Sequence, residues 1–336
     1  MTAVFFEATA DRHALIIGGV TAIERRVREV AKQGATKAIV AAAPVVFPRA
    51  LPIAVEFVAP GSAAPEGARR ERADVVAGVE LVDEAARKQA EWKLIRGSNK
   101  SYEGPVDALI NWRFSMRITR WLARRSLRVT PNHVTVCAIL VGIFASAVAS
   151  GLVGIHGWAQ FAVAGVLLEV NSILDSVDGE LARLRFQYSK VGQWMDNLSD
   201  DIVDNLFVAS VGYALGGVWW WIGLGAAAGR VIVSVTTYVS VYARTGTGDV
   251  FAFRWWFEGE STSTDEVYDP KKISTWLRSF GRRDTFVFIW MIACLAGFPY
   301  WVVGHGGVIA ATYVALLVLH FTVFAGARRS GTGSRG

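Results

Sequence analysis

The chain has 336 residues, of which 52% are hydrophobic and only 19% charged, with 13 Trp and 33 Gly and a mean hydropathy of +0.33. Soluble domains carry about 25% charged residues, so this composition argues against a soluble enzyme and against a disordered chain; it fits a membrane protein with interfacial aromatics and close helix packing. Cys137 and Cys294 lie in apolar runs without CxxC spacing, which argues against a disulfide framework or a cysteine-based zinc site, and the net charge of +6 carries meaning only through its placement.

The N-terminus, MTAVFFEATADRH, has no basic region and no long apolar core, so no signal peptide is expected and the first segment should stay in the cytosol. Residues 1–100 read as a small α/β domain. Residues 14–18 form a short apolar strand. Thr21 and Glu24 have capping-box spacing, opening a helix that ends near Gly34, and residues 38–42 form a second strand. That βαβ order requires a parallel sheet. Residues 59–67, rich in Pro, Gly and Ala, read as a loop, and a charged helix follows over residues 82–96.

Residues 101–128 are a linker and an amphipathic segment. Ile110, Phe114, Ile118 and Trp121 recur at helical spacing beside Arg113, Arg117, Arg120 and Arg124. An apolar stripe flanked by arginines suits a helix lying in the membrane interface; an ordinary surface helix of the α/β domain is the alternative. Six apolar runs follow, over residues 133–152, 157–178, 192–216, 218–242, 285–303 and 306–326, each near the ~20 residues that span a bilayer. The connections near 153–156, 216–217 and 304–305 carry no Lys or Arg. The opposite side holds Arg183, Arg185, Lys190, Arg244, Lys271, Lys272, Arg278, Arg282, Arg283, Arg328 and Arg329. The positive-inside rule then predicts an even number of spans with both termini in the cytoplasm. The basic residues serve topology and anionic lipid contact, and no pattern points to nucleic acid. The expected architecture is therefore an α-helical integral membrane protein of six transmembrane helices with an interfacial amphipathic helix and a small cytoplasmic α/β domain. The membrane domain covers residues 129–328 and a short tail residues 329–336.

The second and third apolar runs contain carboxylates that hydropathy alone would forbid. Asp175 and Asp178 are i,i+3 on one helix, and Asp196 and Asp200 are i,i+4 on the next. Carboxylates at membrane depth are expensive and mark functional sites. A short connection makes the two helices antiparallel neighbours, so the four groups can converge near the cytoplasmic surface. Four such charges repel without a cation, and oxygen-only ligands suit Mg²⁺ or Mn²⁺. Gly179 and Ala182 leave room for a flat ligand against the helix, and Arg183 adds positive charge at the same mouth. Together these features suggest a phosphate-bearing substrate.

The pattern D-x2-D-G-x2-A-R-x8-G-x3-D-x3-D, running from Asp175 through Gly192 to Asp200, resembles the motif of the CDP-alcohol phosphotransferases, also called CDP-alcohol phosphatidyltransferases, and every position is matched. The segments Asn111-Trp-Arg113-Phe-Ser115 and Thr130-Pro131-Asn132-His-Val-Thr135 look like that family's approach to the membrane, and Asp204 sits where many members carry a further Asp. The resemblance implies transfer of a phosphoalcohol group from a CDP-alcohol donor to the hydroxyl of a lipid or polyol acceptor, with release of CMP. It implies Asp175, Asp178 and Asp196 as ligands of Mg²⁺ or Mn²⁺. Asp200 would be the general base, also touching the metal. Gly179, Ala182 and Arg183, with Asp175, Asp178 and Asn132, would form the CDP site. It also implies a homodimer embedded among membrane lipids.

Arg113, Arg117 and Arg230 are candidates for substrate phosphate. Arg230 lies mid-run in the fourth apolar segment, where a charge should face the bundle interior, either toward substrate phosphate or a carboxylate or as a structural partner. Gly225 and Gly229 make a GxxxG match that serves either a dimer or packing within one bundle. His305 and His320 read as non-catalytic. The loop 244–284, with Trp255, Trp256 and Phe257, either shapes the acceptor entrance or lies on the lipid surface.

Residues 17–26 and 35–40 resemble a piece of a sugar-phosphate nucleotidyltransferase, as in fusions that make CDP-inositol, and residues 84–100 look like the junction of such fusions. No Gly-rich phosphate loop is present, so this domain is expected to be a truncated, non-catalytic relative. That ancestry tilts the donor toward CDP-inositol. The alternative is a CDP-diacylglycerol-dependent phosphatidyltransferase acting on inositol phosphate or glycerol phosphate. A cation-coupled transporter is the rival of another class, but it predicts an inverted repeat and carboxylates spread around a midplane site, and neither is seen. A non-catalytic scaffold would need neither metal ligands nor a base.

Overall fold

The structure is a computed structural model that describes residues 3–8, 10–97, 106–125, 129–188, 190–245, 253 and 282–331. The chain divides into two compact units. One comprises Met1–Asn99, Met116–Val129 and Glu180–Gln187; the other comprises Lys100–Ser115, Thr130–Gly179 and Tyr188–Gly336.

The first unit is built on a four-stranded sheet of order β5-β4-β1-β6, with β1 Ala3–Glu7, β4 Lys37–Ala41, β5 Ala54–Val58 and β6 Arg69–Arg72. Every pairing in it is parallel, β1 aligning Ala3 with Lys37 and Val4 with Arg69. Val4-Phe5-Phe6 and Ala38-Ile39-Val40 are buried without interruption, as strands covered on both faces must be. Alternate side chains divide between the faces. Val4, Phe6 and Val40 pack with Ile23, Val27 and Val30 of helix α1 (Ala22–Lys32), whereas Phe5 and Ile39 pack with Val58, Ala64 and Ala68.

The expected βαβ unit is present, but its first strand is Ala3–Glu7 and not residues 14–18. The latter stretch supplies only β2 Ile16–Ile17, paired antiparallel with β3 Val20–Thr21 across Gly18 and Gly19, whose φ values of +57° and +81° close a tight hairpin. Thr21 caps α1 as expected, its hydroxyl accepting from the Glu24 amide at 3.3 Å. Glu24 turns its carboxylate to Arg28 at 3.0 Å. The short strands β7 Val75–Val76 and β8 Val79–Glu80 precede α2 Glu84–Gly97.

After a π-helical turn over Asp107–Asn111, helix α3 runs Trp112–Arg125. Its arginine stripe divides. Arg120 and Arg124 reach Glu91 of α2 at 3.2 and 2.7 Å, and Arg120 also lies 4.5 Å over the Trp92 ring, while Arg113 and Arg117 are exposed.

The second unit is helical: α4 Pro131–Ala149, α5 Trp158–Arg185 (whose last turns belong to the first unit), α6 Lys190–Leu215, α7 Gly217–Thr245, α8 Arg283–Leu295 and α9 Tyr300–Gly331. Four segments are long and apolar enough to cross a membrane: Pro131–Ala149, Trp158–Arg185, Gly217–Arg244 and Tyr300–Thr322. The chain is thus read as an integral membrane protein. The six expected runs are helical, but α6 carries four aspartates, and α8, at 13 residues, spans roughly 20 Å. The last connection differs from the expected 304–305. Gly304 and His305 lie inside α9, and the chain breaks at residues 296–299, where Gly297 at φ +81° ends α8 and the Phe298 amide donates back to the Ala293 carbonyl at 2.8 Å. Trp255, Trp256, Phe257, Lys271, Lys272 and Arg278 lie outside the described residues, as do the side chains of Asp196, Arg328 and Arg329.

The core of this unit joins Ala145, Val148, Leu168, Val203, Phe207, Val287 and Trp290, with Phe207 and Trp290 stacked at 6.3 Å. Helix α4 reaches α6 through Gly142, where an added Cβ would lie 2.5 Å from Val203. Of the GxxxG pair, Gly229 faces Val314 of α9 and Gly225 meets nothing within 4 Å, so Gly229 serves packing within the bundle. Gly142→Val should lower stability by about 1–3 kcal/mol through overpacking. Val203→Ala in the same chain should recover part of it, read as the thermal unfolding midpoint in lipid nanodiscs. No recovery would break the assigned α4–α6 contact.

Candidate active site

The site is made by α4, α5, α6, α7 and the first turn of α8. Asp175 and Asp178 lie on α5 just before that helix leaves the bundle, and Asp200 and Asp204 lie on α6. Both helices carry long apolar stretches, and the carboxylates stand on them with further polar residues, Glu169 and Asn171 of α5 and Asp201 and Asn205 of α6.

Arg283, the first residue of α8, sits where these carboxylates converge. Its guanidinium reaches Asp200 at 2.7 Å, Asp175 at 3.2 Å and Asp204 at 3.3 Å, and it donates to the Asn171 side-chain oxygen at 2.7 Å. Asn171 in turn donates to the Ala138 carbonyl of α4 at 2.8 Å, which fixes the orientation of its amide. Asp178 accepts a short hydrogen bond from Thr135 of α4 and is 5% exposed. Asp204 is 1% exposed and is shared between Arg283 and Arg230, the latter at 3.5 Å. Arg230 also approaches Asp201 at 4.0 Å and lies 5.5 Å over Phe286. It therefore faces the bundle interior, as expected, with carboxylates as its partners.

The structure thus brings Asp175 and Asp200 together around one cation and sets Asp178 one turn away on the same helix. Asp196 occupies its α6 position, but its side chain is outside the described residues. Gly179, Ala182 and Arg183 follow Asp178 on α5, and Arg183 Nε is buried without a hydrogen-bond partner among the described residues. Asn132 is exposed in the first turn of α4, whose Thr130 cap is reciprocated by His133.

Among the described residues no three carboxylate, His or Cys side chains close on one point as metal ligands. The charge balance shows why a cation nevertheless fits. Asp175, Asp200 and Asp204 share one guanidinium, with Arg230 as a second cation beside Asp204, and every candidate donor is a carboxylate oxygen. Such donors are the chemistry that a hard divalent ion takes, and Arg283 is the positive charge among them.

The sequence reading missed Arg283 as a site residue because it counts as one of several basic residues flanking the membrane. The signal available was its position: Arg283-Asp284 opens an apolar helix. Thr135 closes the segment Thr130–Thr135, whose family resemblance gives it no individual role. Asn171 and Glu169 were not singled out. Glu169, on α5 before Asp175, is 5% exposed, and neither carboxylate oxygen has a hydrogen-bond partner among the described residues. Its immediate neighbours Leu167, Leu168 and Val170 are apolar and hide it in a hydropathy reading.

A family model for CDP-alcohol phosphatidyltransferase matches residues 128–323, and the chain belongs to that family. Similar proteins include a "Bifunctional IPC transferase and DIPP synthase" of Thermococcus kodakarensis, 35% identical over 153 residues, which are 45% of this chain and 33% of the relative. Another of that name, from Aquifex aeolicus, is 33% identical over 40% of this chain and 29% of its own length. An "Archaetidylinositol phosphate synthase" of Pyrococcus horikoshii is 36% identical over 31% of this chain and 50% of its own length. The match to the bifunctional relatives spans a third or less of their length.

Removing Arg283 leaves partly buried carboxylates uncompensated. In EDTA, Arg283→Met should lower stability by about 3 kcal/mol. Adding Mg²⁺ or Mn²⁺ should recover more of the melting temperature in this variant than in the wild type. An equal response to the ions in both chains would contradict Arg283 as a counter-charge that a divalent ion can replace.

Proposed function

We propose that the chain transfers a phosphoalcohol group from a CDP-alcohol to the hydroxyl of a second alcohol, releasing CMP. The observation that carries this reading is the complete motif from Asp175 to Asp200, lying on two helices whose carboxylates converge on Arg283. The donor we favour is CDP-inositol, and two relatives named "Bifunctional IPC transferase and DIPP synthase" support it. The relative named "Archaetidylinositol phosphate synthase" supports a second reading, in which CDP-diacylglycerol is the donor and inositol phosphate or glycerol phosphate the acceptor.

Asp175, Asp178 and Asp196, with Asp200, would hold a divalent cation, Mg²⁺ or Mn²⁺. Such an ion supplies charge neutralisation for the pyrophosphate and for the leaving CMP. Gly179, Ala182, Arg183 and Asn132 would line the CDP site, and Arg113, Arg117 and Arg230 are the weaker candidates for substrate phosphate. Asp200 is the base: it takes the proton of the attacking hydroxyl as the new oxygen–phosphorus bond forms and the bond to CMP breaks. Asp200 is paired with Arg283 at 2.7 Å. A guanidinium pairs equally with phosphate oxygens, so a bound pyrophosphate competes with Asp200 for Arg283 and leaves the carboxylate freer to accept the proton.

In the same reading the chain comprises an α/β domain over residues 1–100, a linker and interfacial helix over 101–128, a six-helix membrane domain over 129–328 and a tail over 329–336. Both termini and the site face the cytoplasm, and the protein is a homodimer among membrane lipids. The α/β domain is a non-catalytic nucleotidyltransferase relative.

The test is CMP release by the full chain in nanodiscs with Mg²⁺ or Mn²⁺. CDP-inositol and CDP-diacylglycerol are offered separately with lipid, polyol and polyol-phosphate acceptors. Release from CDP-inositol supports the favoured donor, release from CDP-diacylglycerol alone supports the second, and failure to bind any CDP compound overturns the transferase reading. Asp200→Asn should lower kcat by about 10²–10⁴-fold with the unfolding midpoint preserved; normal turnover in that variant would remove Asp200 as the base.

A further inference from the structure

The turn that ends α5 joins the two halves of the aspartate motif. Residues 180–187 belong to the first unit, together with the α/β sheet. The helix ends in a Schellman arrangement. The Gln187 amide donates to the Ala182 carbonyl at 2.8 Å and the Phe186 amide to the Arg183 carbonyl at 3.4 Å. The carbonyls used are those of the motif residues Ala182 and Arg183.

Two features of this cap are unusual. The left-handed position is ordinarily glycine, yet here it is Phe186 with φ +55°. A bulky residue persists in that conformation only when its surroundings enforce it. The surroundings are three cations of α1: Arg28, Arg25 and Lys32 lie 5.3, 5.5 and 5.9 Å from the Phe186 ring centre. The second feature concerns the next two carbonyls, which a helix end leaves unpaired. Arg25 donates to the Leu184 carbonyl at 2.7 Å, and Arg49 donates to the Arg185 carbonyl. Arg25 also donates to the Ile17 carbonyl at 3.0 and 2.7 Å, so one buried guanidinium ties the β2–β3 hairpin to the helix end. Burial holds its pKa down to about 10, still charged at neutral pH. Positive charge at a helix C-terminus opposes the helix dipole favourably. Gly18 completes the fit, since a Cβ there would lie 2.9 Å from Leu184.

We infer that the α/β domain is a clamp on the connection between the motif halves, with Arg25 and Phe186 as positioning residues. It grips the end of α5 at Leu184, Arg185 and Phe186, a few residues along the chain from Asp178 and Gly179, and so holds the helix end from which the chain continues toward Asp196 and Asp200. This assigns the domain a role that needs no phosphate loop of its own. The kinetic part of the inference rests on the transferase reading; the clamp itself does not.

The test uses the full chain in nanodiscs with Phe186→Asn, Arg25→Met and Phe186→Tyr. Asparagine tolerates the left-handed backbone but removes the ring, whereas tyrosine keeps it. Hydrogen–deuterium exchange over residues 180–187 should rise in the first two variants, with β1, β4 and β5 still protected. CMP release from CDP-inositol or CDP-diacylglycerol should lose about 10- to 100-fold in kcat, as misplacement remote from the chemistry can cause. The donor KM should stay within roughly twofold. Phe186→Tyr should match the wild type in both readouts. Unchanged exchange in Phe186→Asn and Arg25→Met, or faster exchange with unchanged kcat, overturns the inference. If the wild type itself releases no CMP, the transferase reading fails and the exchange arm alone decides the clamp.

Discussion

Like charges gathered in a low-dielectric helix bundle need a counter-charge, and this constraint organises the membrane unit. Asp175, Asp200 and Asp204 come within ion-pair distance of the single Arg283 guanidinium, and Arg230 adds a second positive charge beside the most buried of them. Removing either sign would leave buried charge unpaired, which is far costlier than the pair is stabilising. The neighbouring polar groups follow from the same need. Asn171 orients the guanidinium and Thr135 satisfies Asp178. The arrangement is anion-rich even with both arginines counted, and that excess suits it to a divalent ion and a phosphate-bearing substrate.

Packing makes this concentration of charge possible. Gly142 lets α4 approach α6, and Gly165 lets α5 approach α8, where a Cβ would lie 2.9 Å from Cys294. The apolar core of Leu168, Val203, Phe207 and Trp290 packs the same bundle that carries the charged groups. In the first unit, cations again do the organising. Arg25, Arg28, Lys32 and Arg49 surround one helix end and its aromatic cap.

Much of this was legible in the sequence where a signal is local. Motif spacing put the aspartates on two consecutive helices, Thr21 marked a helix start, and the apolar runs were helices. Longer-range facts were not legible. The strand Ala3–Glu7 is short and opens the chain, so its membership of the sheet depends on pairing with Lys37–Ala41, which no local pattern reveals. Residues 14–18 looked like a core strand because Ile16 and Ile17 are apolar, yet the following glycine pair folds them into a hairpin. The break at residues 296–299 was placed too late because the run through residue 303 remains hydrophobic. Arg283 is far in sequence from every carboxylate that it pairs with, and its charge made it look like a topology marker. The split of the arginine stripe on α3, with Arg120 and Arg124 turned to Glu91, likewise depended on a partner outside the pattern.

The central claim is that the converging carboxylates form a divalent-cation site. Electron paramagnetic resonance of Mn²⁺ added to the full chain in nanodiscs tests it most directly, comparing wild type with Asp175→Asn and Asp178→Asn. The account predicts a bound Mn²⁺ signal in the wild type that is lost or strongly weakened in both variants while each remains folded. Equal Mn²⁺ binding in all three chains, or none in the wild type, would contradict it.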